Sequence, residues 1–118
     1  MNNISNKSIG DNGENIASEY LIEGGFDIVK KNYRFGHCEI DLIAKKGSCL
    51  HFIEVKFRSN NSFGYPESFV SDSQKFRIKL AADDYIYKTN WTKNIMFDII
   101  SIEKCKDGCK ILFFEDSF

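Results

Sequence analysis

The sequence holds one proline, two histidines, one tryptophan and three arginines among 118 residues. Each shortage excludes something. With Pro66 as the single proline and no low-complexity stretch, no Pro-rich linker divides the chain. The cysteines, Cys38, Cys49, Cys105 and Cys109, form no C-x-x-C, and His37 and His51 are the only imidazoles, so a structural zinc site lacks its usual spacing. The longest apolar runs cover a few residues, far short of the roughly 20 that span a bilayer. The opening MNNISNKSIG lacks the charged-then-apolar pattern of a signal peptide, which makes the cytoplasm the expected location and a membrane partner unexpected. Neither G-x-x-x-x-G-K-[ST] nor G-x-G-x-x-G occurs, which argues against an NTP-driven step.

What is present is apolar and aromatic. Eleven Phe, five Tyr and 42% hydrophobic residues are too much for a disordered chain, and the length suits a single domain over residues 1–118. The net charge of −1 does not announce a nucleic-acid binder. Its distribution is uneven, however: residues 26–58 hold seven Lys and Arg against four Asp and Glu, whereas residues 1–25 hold one against four.

The segment DNGENIASEYLIEGG spaces Ile16, Ala17, Tyr20 and Leu21 as a helix does, opens with Asp11 three residues before Glu14, and closes at Gly24-Gly25, which predicts a helix over residues 12–24. FDIVKKNYR, CEIDLIAKK and CLHFIEVKFR then read as a three-stranded antiparallel meander with turns at Phe35-Gly36-His37 and Gly47-Ser48. SNNSFGYPESFVS reads as a loop. Ser71-Asp72-Ser73-Gln74 forms an S-x-x-Q capping box ahead of a second helix reaching about Lys88. IMFDIISIE and KILFFE are two further strands on either side of Lys106-Asp107-Gly108. The expected class is α/β or α+β with a mixed central sheet flanked by helices.

In the apolar strand LHFIEVKF, the charges Glu54 and Lys56 are out of place, as is Asp41 between Ile40 and Leu42. If Gly47-Ser48 is a two-residue turn, Lys46 pairs with Cys49, Leu42 with Ile53, Ile40 with Val55, and Glu39 with Lys56, so that Asp41 faces Glu54. Two ionised carboxylates about 5 Å apart repel by roughly 3 kcal/mol at an effective dielectric of about 20. The pair needs a cation or a proton. The residues alone leave two readings open: hard oxygen donors for Mg²⁺ or Mn²⁺ with Lys56 beside them, or a surface lattice in which Glu39–Lys56 is an ordinary cross-strand pair. The same register separates Cys38 from Cys49 beyond disulfide reach, and sets His51 opposite Ala44 on the other face as a structural residue.

EIDLIA followed by FIEVKFR, with twelve residues between Asp41 and Glu54, resembles the D…(D/E)-x-K signature of the restriction-endonuclease-like nucleases. More narrowly, NGENIASEYLIEGGFDIVKKNYR, EIDLIAKKG, FIEVKFR, the Phe63-Gly64 loop, Lys75, FDIIS and the terminal DSF resemble the YraN family of predicted endonucleases, itself similar to archaeal Holliday-junction resolvases. The likeness covers nearly the whole chain. Cys38 departs from it, standing where that family usually has Gly.

The resemblance implies a restriction-endonuclease-like domain that hydrolyses DNA phosphodiester bonds with Mg²⁺ or Mn²⁺, with branched DNA among its candidate substrates. Asp41, Glu54 and the backbone carbonyl of Val55 would bind the metal, Lys56 would orient the attacking water, and Glu14 would complete the acidic cluster. Glu39 would lie just outside the ligands; Lys75 and Arg58 are the candidate nucleic-acid contacts. Symmetric cuts need two active sites, which a homodimer supplies. Each role has a plain structural competitor: Glu14 as capping partner of Asp11, Lys75 as a solvated helix residue, Phe113 and Phe114 as core rather than base-stacking rings. A non-catalytic nucleic-acid-binding or interaction module that keeps the nuclease fold is the alternative function, and a nuclease toxin is a third.

Overall fold

The computed structural model describes residues 6–58, 70–105 and 108–118. In chain order these form α1 (Asn6–Glu23), β1 (Asp27–Phe35), β2 (Cys38–Lys46), β3 (Cys49–Arg58), α2 (Asp72–Thr89), β4 (Asn94–Cys105) and β5 (Gly108–Phe114). The five strands make one sheet in the order β1-β2-β3-β4-β5. Only β3 and β4 run parallel, joined through α2, and the other neighbours are antiparallel. The mixed sheet and element order match the expectation from sequence. The Phe63-Gly64 loop and Pro66 lie outside the described residues.

Strand alternation sends side chains to two cores, one under each helix. Leu42, Ala44, Ile53, Ile100 and Ile102 pack with Ala17 and Leu21 of α1. Ile43, Leu50, Phe52 and Ile99 pack with Ile78, Ala81 and Ala82 of α2. Phe113 and Phe114 join opposite cores rather than presenting rings to solvent together.

The helix ends show which local signals held. At the end of α1, Gly25 takes φ +90°. Its N–H reaches Ile22 O at 3.0 Å, and the N–H of Phe26 reaches Leu21 O at 3.0 Å. This is a Schellman closure, and Phe26 meets Leu21 in the core beneath it. The start differs from expectation: α1 begins at Asn6, five residues ahead of Asp11, so Glu14 is not the partner of an Asp11 cap. At α2, Ser71 caps as expected, its hydroxyl accepting from Gln74 N at 3.1 Å. The Gln74 side chain does not return the bond; it reaches into the sheet.

A buried polar pair lies on the α1 face. His51, opposite Ala44 as expected, brings Nδ1 to 2.5 Å from Asp98 Oδ2. The Phe26 ring packs nearly perpendicular to the imidazole, with 5.0 Å between ring centres. Asp98 is fully buried and accepts a second bond, from Asp116 N at 2.8 Å. Deleting one partner would leave the other desolvated and unmatched. His51→Ala is therefore expected to lower the unfolding free energy by about 2–4 kcal/mol in urea denaturation. A loss under about 1 kcal/mol would mean that the pair is not structurally important.

Candidate active site

The turn chemistry sets the register at the site. Gly47 at φ +60° forms the tight turn between β2 and β3. The predicted pairing then holds from Lys46↔Cys49 through Leu42↔Ile53. There the ladder ends, so Ile40–Val55 and Glu39–Lys56 do not form as expected. In its place the Val55 N–H donates to Asp41 Oδ2 at 2.8 Å. A side chain has taken over a backbone acceptor's role, which parts the two strands where the charges begin.

The alternation of β2 also slips at this point. Ile40 and Ile43 both pack into the α2 core, whereas Leu42 packs into the α1 core. Across from Asp41, between the pairs Lys31↔Leu42 and Tyr33↔Ile40, stands Asn32 of β1 at φ +53°. Such a conformation within a strand breaks the pleat and lets Ile40 keep core contact on the other side of the kink.

Two groups of charges meet at Asp41. Glu14 of α1, Glu39 and Asp41 bring carboxylate oxygens within 4.8 Å of one another. Gly13 lets α1 approach closely: a methyl there would already stand 3.4 Å from the Phe57 ring. On the other side lies Glu54, buried at 5% exposure. Lys56 Nζ sits 3.3 Å from Glu54 Oε2. Gln74 binds both: its Nε2 donates to Glu54 Oε2, and its Oε1 accepts from Lys56 Nζ at 3.3 Å. Burial, followed by the charge of Glu54 and a hydrogen bond with its carboxyl, pushes the pKa of Asp41 up to about 8, against the opposing pull of the Val55 N–H.

The structure thus brings Asp41, Glu54, Lys56 and Glu14 to one place, with surroundings that differ from the expected strand pairing. Glu39 is not paired with Lys56; it stands among the clustered carboxylates and meets Arg34 at 3.0 Å. Val55 enters the site through its N–H. Lys75 lies half-buried beside Gln74 in the first turn of α2. Arg58 faces Glu103 of β4 at 3.9 Å, which ties it to the sheet. Sequence reasoning missed the reach of Gln74, whose only signal was its place in the capping motif. His37 is an exposed turn residue, as expected.

Among the described residues these features define an α+β fold of two helices on a mixed sheet, whose middle strands part around a half-buried carboxylate cluster with a lysine beside it. The chain matches the model of the uncharacterised protein family UPF0102 over residues 13–102. It is 44% identical over 113 residues to a UPF0102 protein of Dictyoglomus thermophilum, covering 95% of each chain. Against a UPF0102 protein of Cytophaga hutchinsonii it is 44% identical over 90 residues, 76% of this chain and 80% of that one. Against one of Clostridium perfringens it is 40% identical over 116 residues, 96% of this chain and 95% of that one. The protein belongs to the UPF0102 family, which is the YraN family.

The raised pKa has a consequence for stability. An unfolded Asp releases its proton near 3.8, whereas folded Asp41 keeps it up to about 8. Between those values the folded state binds more protons than the unfolded one, so stability falls as pH rises through that window. In EDTA, the urea midpoint of the wild type is expected to drop from pH 5 to pH 8 more steeply than that of Asp41→Asn. Equal slopes would contradict the proposed protonation of Asp41.

Proposed function

We propose that this protein is an endonuclease that hydrolyses DNA phosphodiester bonds with Mg²⁺ or Mn²⁺, acting in the cytoplasm, with branched DNA among its substrates. The observation that carries the reading is the meeting of Asp41 and Glu54 where β2 and β3 part, with Glu14 and Glu39 alongside and Lys56 adjacent. A fold that needed only stability would gain nothing from partly burying so many like charges.

The donor set fits the implied ion. Carboxylate oxygens from three elements converge, and hard oxygen donors with room for waters and phosphate are what Mg²⁺ and Mn²⁺ use. Asp41, Glu54, Glu14 and Glu39 would hold the ion, with the Val55 carbonyl as the further ligand that the family resemblance implies. Once bound, it would supply Lewis acidity and offset negative charge on the phosphate.

The chain's own residues do the rest. Glu54 and Gln74 hold the Lys56 ammonium in place. From there Lys56 can orient a water and counter charge developing on the phosphoryl oxygens. Gln74 also fixes the Glu54 carboxylate, so one helix residue sets both halves of the E-x-K pair. Arg34 keeps Glu39 turned to the cluster from β1. Lys75 is the candidate phosphate contact beside Gln74, and Arg58, anchored by Glu103, is a weaker one. A homodimer would provide the two sites that symmetric cuts require.

The test is cleavage of labelled single-stranded, duplex, flapped and four-way-junction DNA in Mn²⁺ by the wild type and by equally purified Asp41→Asn. Wild-type cutting that falls by about a hundredfold or more in the variant is expected, since a metal's charge stabilisation is worth several kcal/mol. Equal cutting by both proteins, or none by either, would overturn the reading. Metal-independent binding that survives the substitution would instead indicate a binding module.

A further inference from the structure

We propose that Asn32 is a positioning residue for the metal site, fixing the Glu14 carboxylate against Asp41 and Glu39. The inference deepens the proposed function and rests on its reading of the carboxylates as metal ligands. Asn32 lies in β1 at φ +53°, directly across from Asp41. Its side-chain Nδ2 donates to Glu14 Oε2 at 3.0 Å, across eighteen residues of sequence. The neighbouring Lys31 Nζ reaches Asn15 Oδ1 at 3.4 Å, a second tie between β1 and α1.

The residue type fits two demands at once. The left-handed conformation suits Gly, Asn and Asp and strains other residues. Gly would satisfy the backbone but offer Glu14 no amide donor. Asp would satisfy the backbone and set another carboxylate beside Glu14. Asn alone meets the backbone requirement and offers a neutral donor. The donor crosses from β1 to the member of the cluster carried by a helix, Glu14, while Glu39 and Asp41 share β2. The long Glu14 side chain must give up rotamer freedom to reach them. Engaging one carboxylate oxygen by the amide fixes the group's orientation and leaves lone pairs for a cation, as partners of ligands in metal sites commonly do.

Asn32→Gly separates the two roles, since it keeps the backbone conformation and deletes only the amide. The probe is Mn²⁺ alone, titrated by calorimetry into the full-length protein, with urea denaturation of the metal-free form as the control. Asn32→Gly is expected to bind Mn²⁺ about tenfold more weakly, with a metal-free urea midpoint close to wild type. Half-maximal cleavage should need correspondingly more Mn²⁺, while cleavage at saturating Mn²⁺ stays near wild type. In a Glu14→Gln background the same substitution should add nothing, because the group it positions has lost its charge. Wild-type Mn²⁺ affinity in Asn32→Gly beside weakened binding in Asp41→Asn would overturn the role of Asn32 and leave the nuclease reading standing. A wild type that takes up no Mn²⁺ would overturn both.

Discussion

The carboxyls of Asp41 and Glu54 meet where β2 and β3 stop pairing, and the architecture of that end of the molecule answers to their mutual repulsion. The Val55 N–H leaves the ladder to bond Asp41. Lys56 and Gln74 converge on Glu54. Asp41 keeps a proton far above its ordinary range because burial and Glu54 both disfavour its charge. In the proposed function a cation would take the place of that proton and offset the same repulsion with Asp41 ionised.

The rest of the fold holds this arrangement from both faces of the sheet. Two cores clamp the middle strands from either face, so the strand backbones that carry Asp41 and Glu54 cannot drift apart freely. Helix α1 brings Glu14 from one side, and the first turn of α2 brings Gln74 from the other. The kink at Asn32 accompanies the turn of Ile40 into the α2 core, where it packs with Tyr33. Local distortion at the site is thus matched by an apolar contact next to it.

Much of this was legible in the sequence for physical reasons. Period-two patterning and the Gly47-Ser48 turn fixed the β2–β3 register, and a one-residue slip would have sent Asp41 and Glu54 to opposite faces. The Gly24-Gly25 pair marked the end of α1, where Gly25 takes the positive φ that closes the helix. What escaped the reading depended on tertiary partners. The ladder's end at Leu42↔Ile53 required knowing that Asp41 would capture a backbone N–H. Gln74 matched a local capping motif, yet its side chain found a buried carboxylate instead. A charge embedded in an apolar strand proved an ambiguous signal. Asp98 in IMFDIIS obeys the same pattern as Asp41, but it is paired with His51 and holds the backbone of Asp116.

Whether the parted strands hold a metal ion is read most directly from paramagnetic broadening in amide NMR spectra as Mn²⁺ is added at low stoichiometry. A metal site there means early loss of the resonances of Glu14, Glu39, Asp41 and Val55, with those of Lys46 and Cys49 at the far end of the hairpin persisting. Broadening centred elsewhere, or none at stoichiometric Mn²⁺, would contradict it.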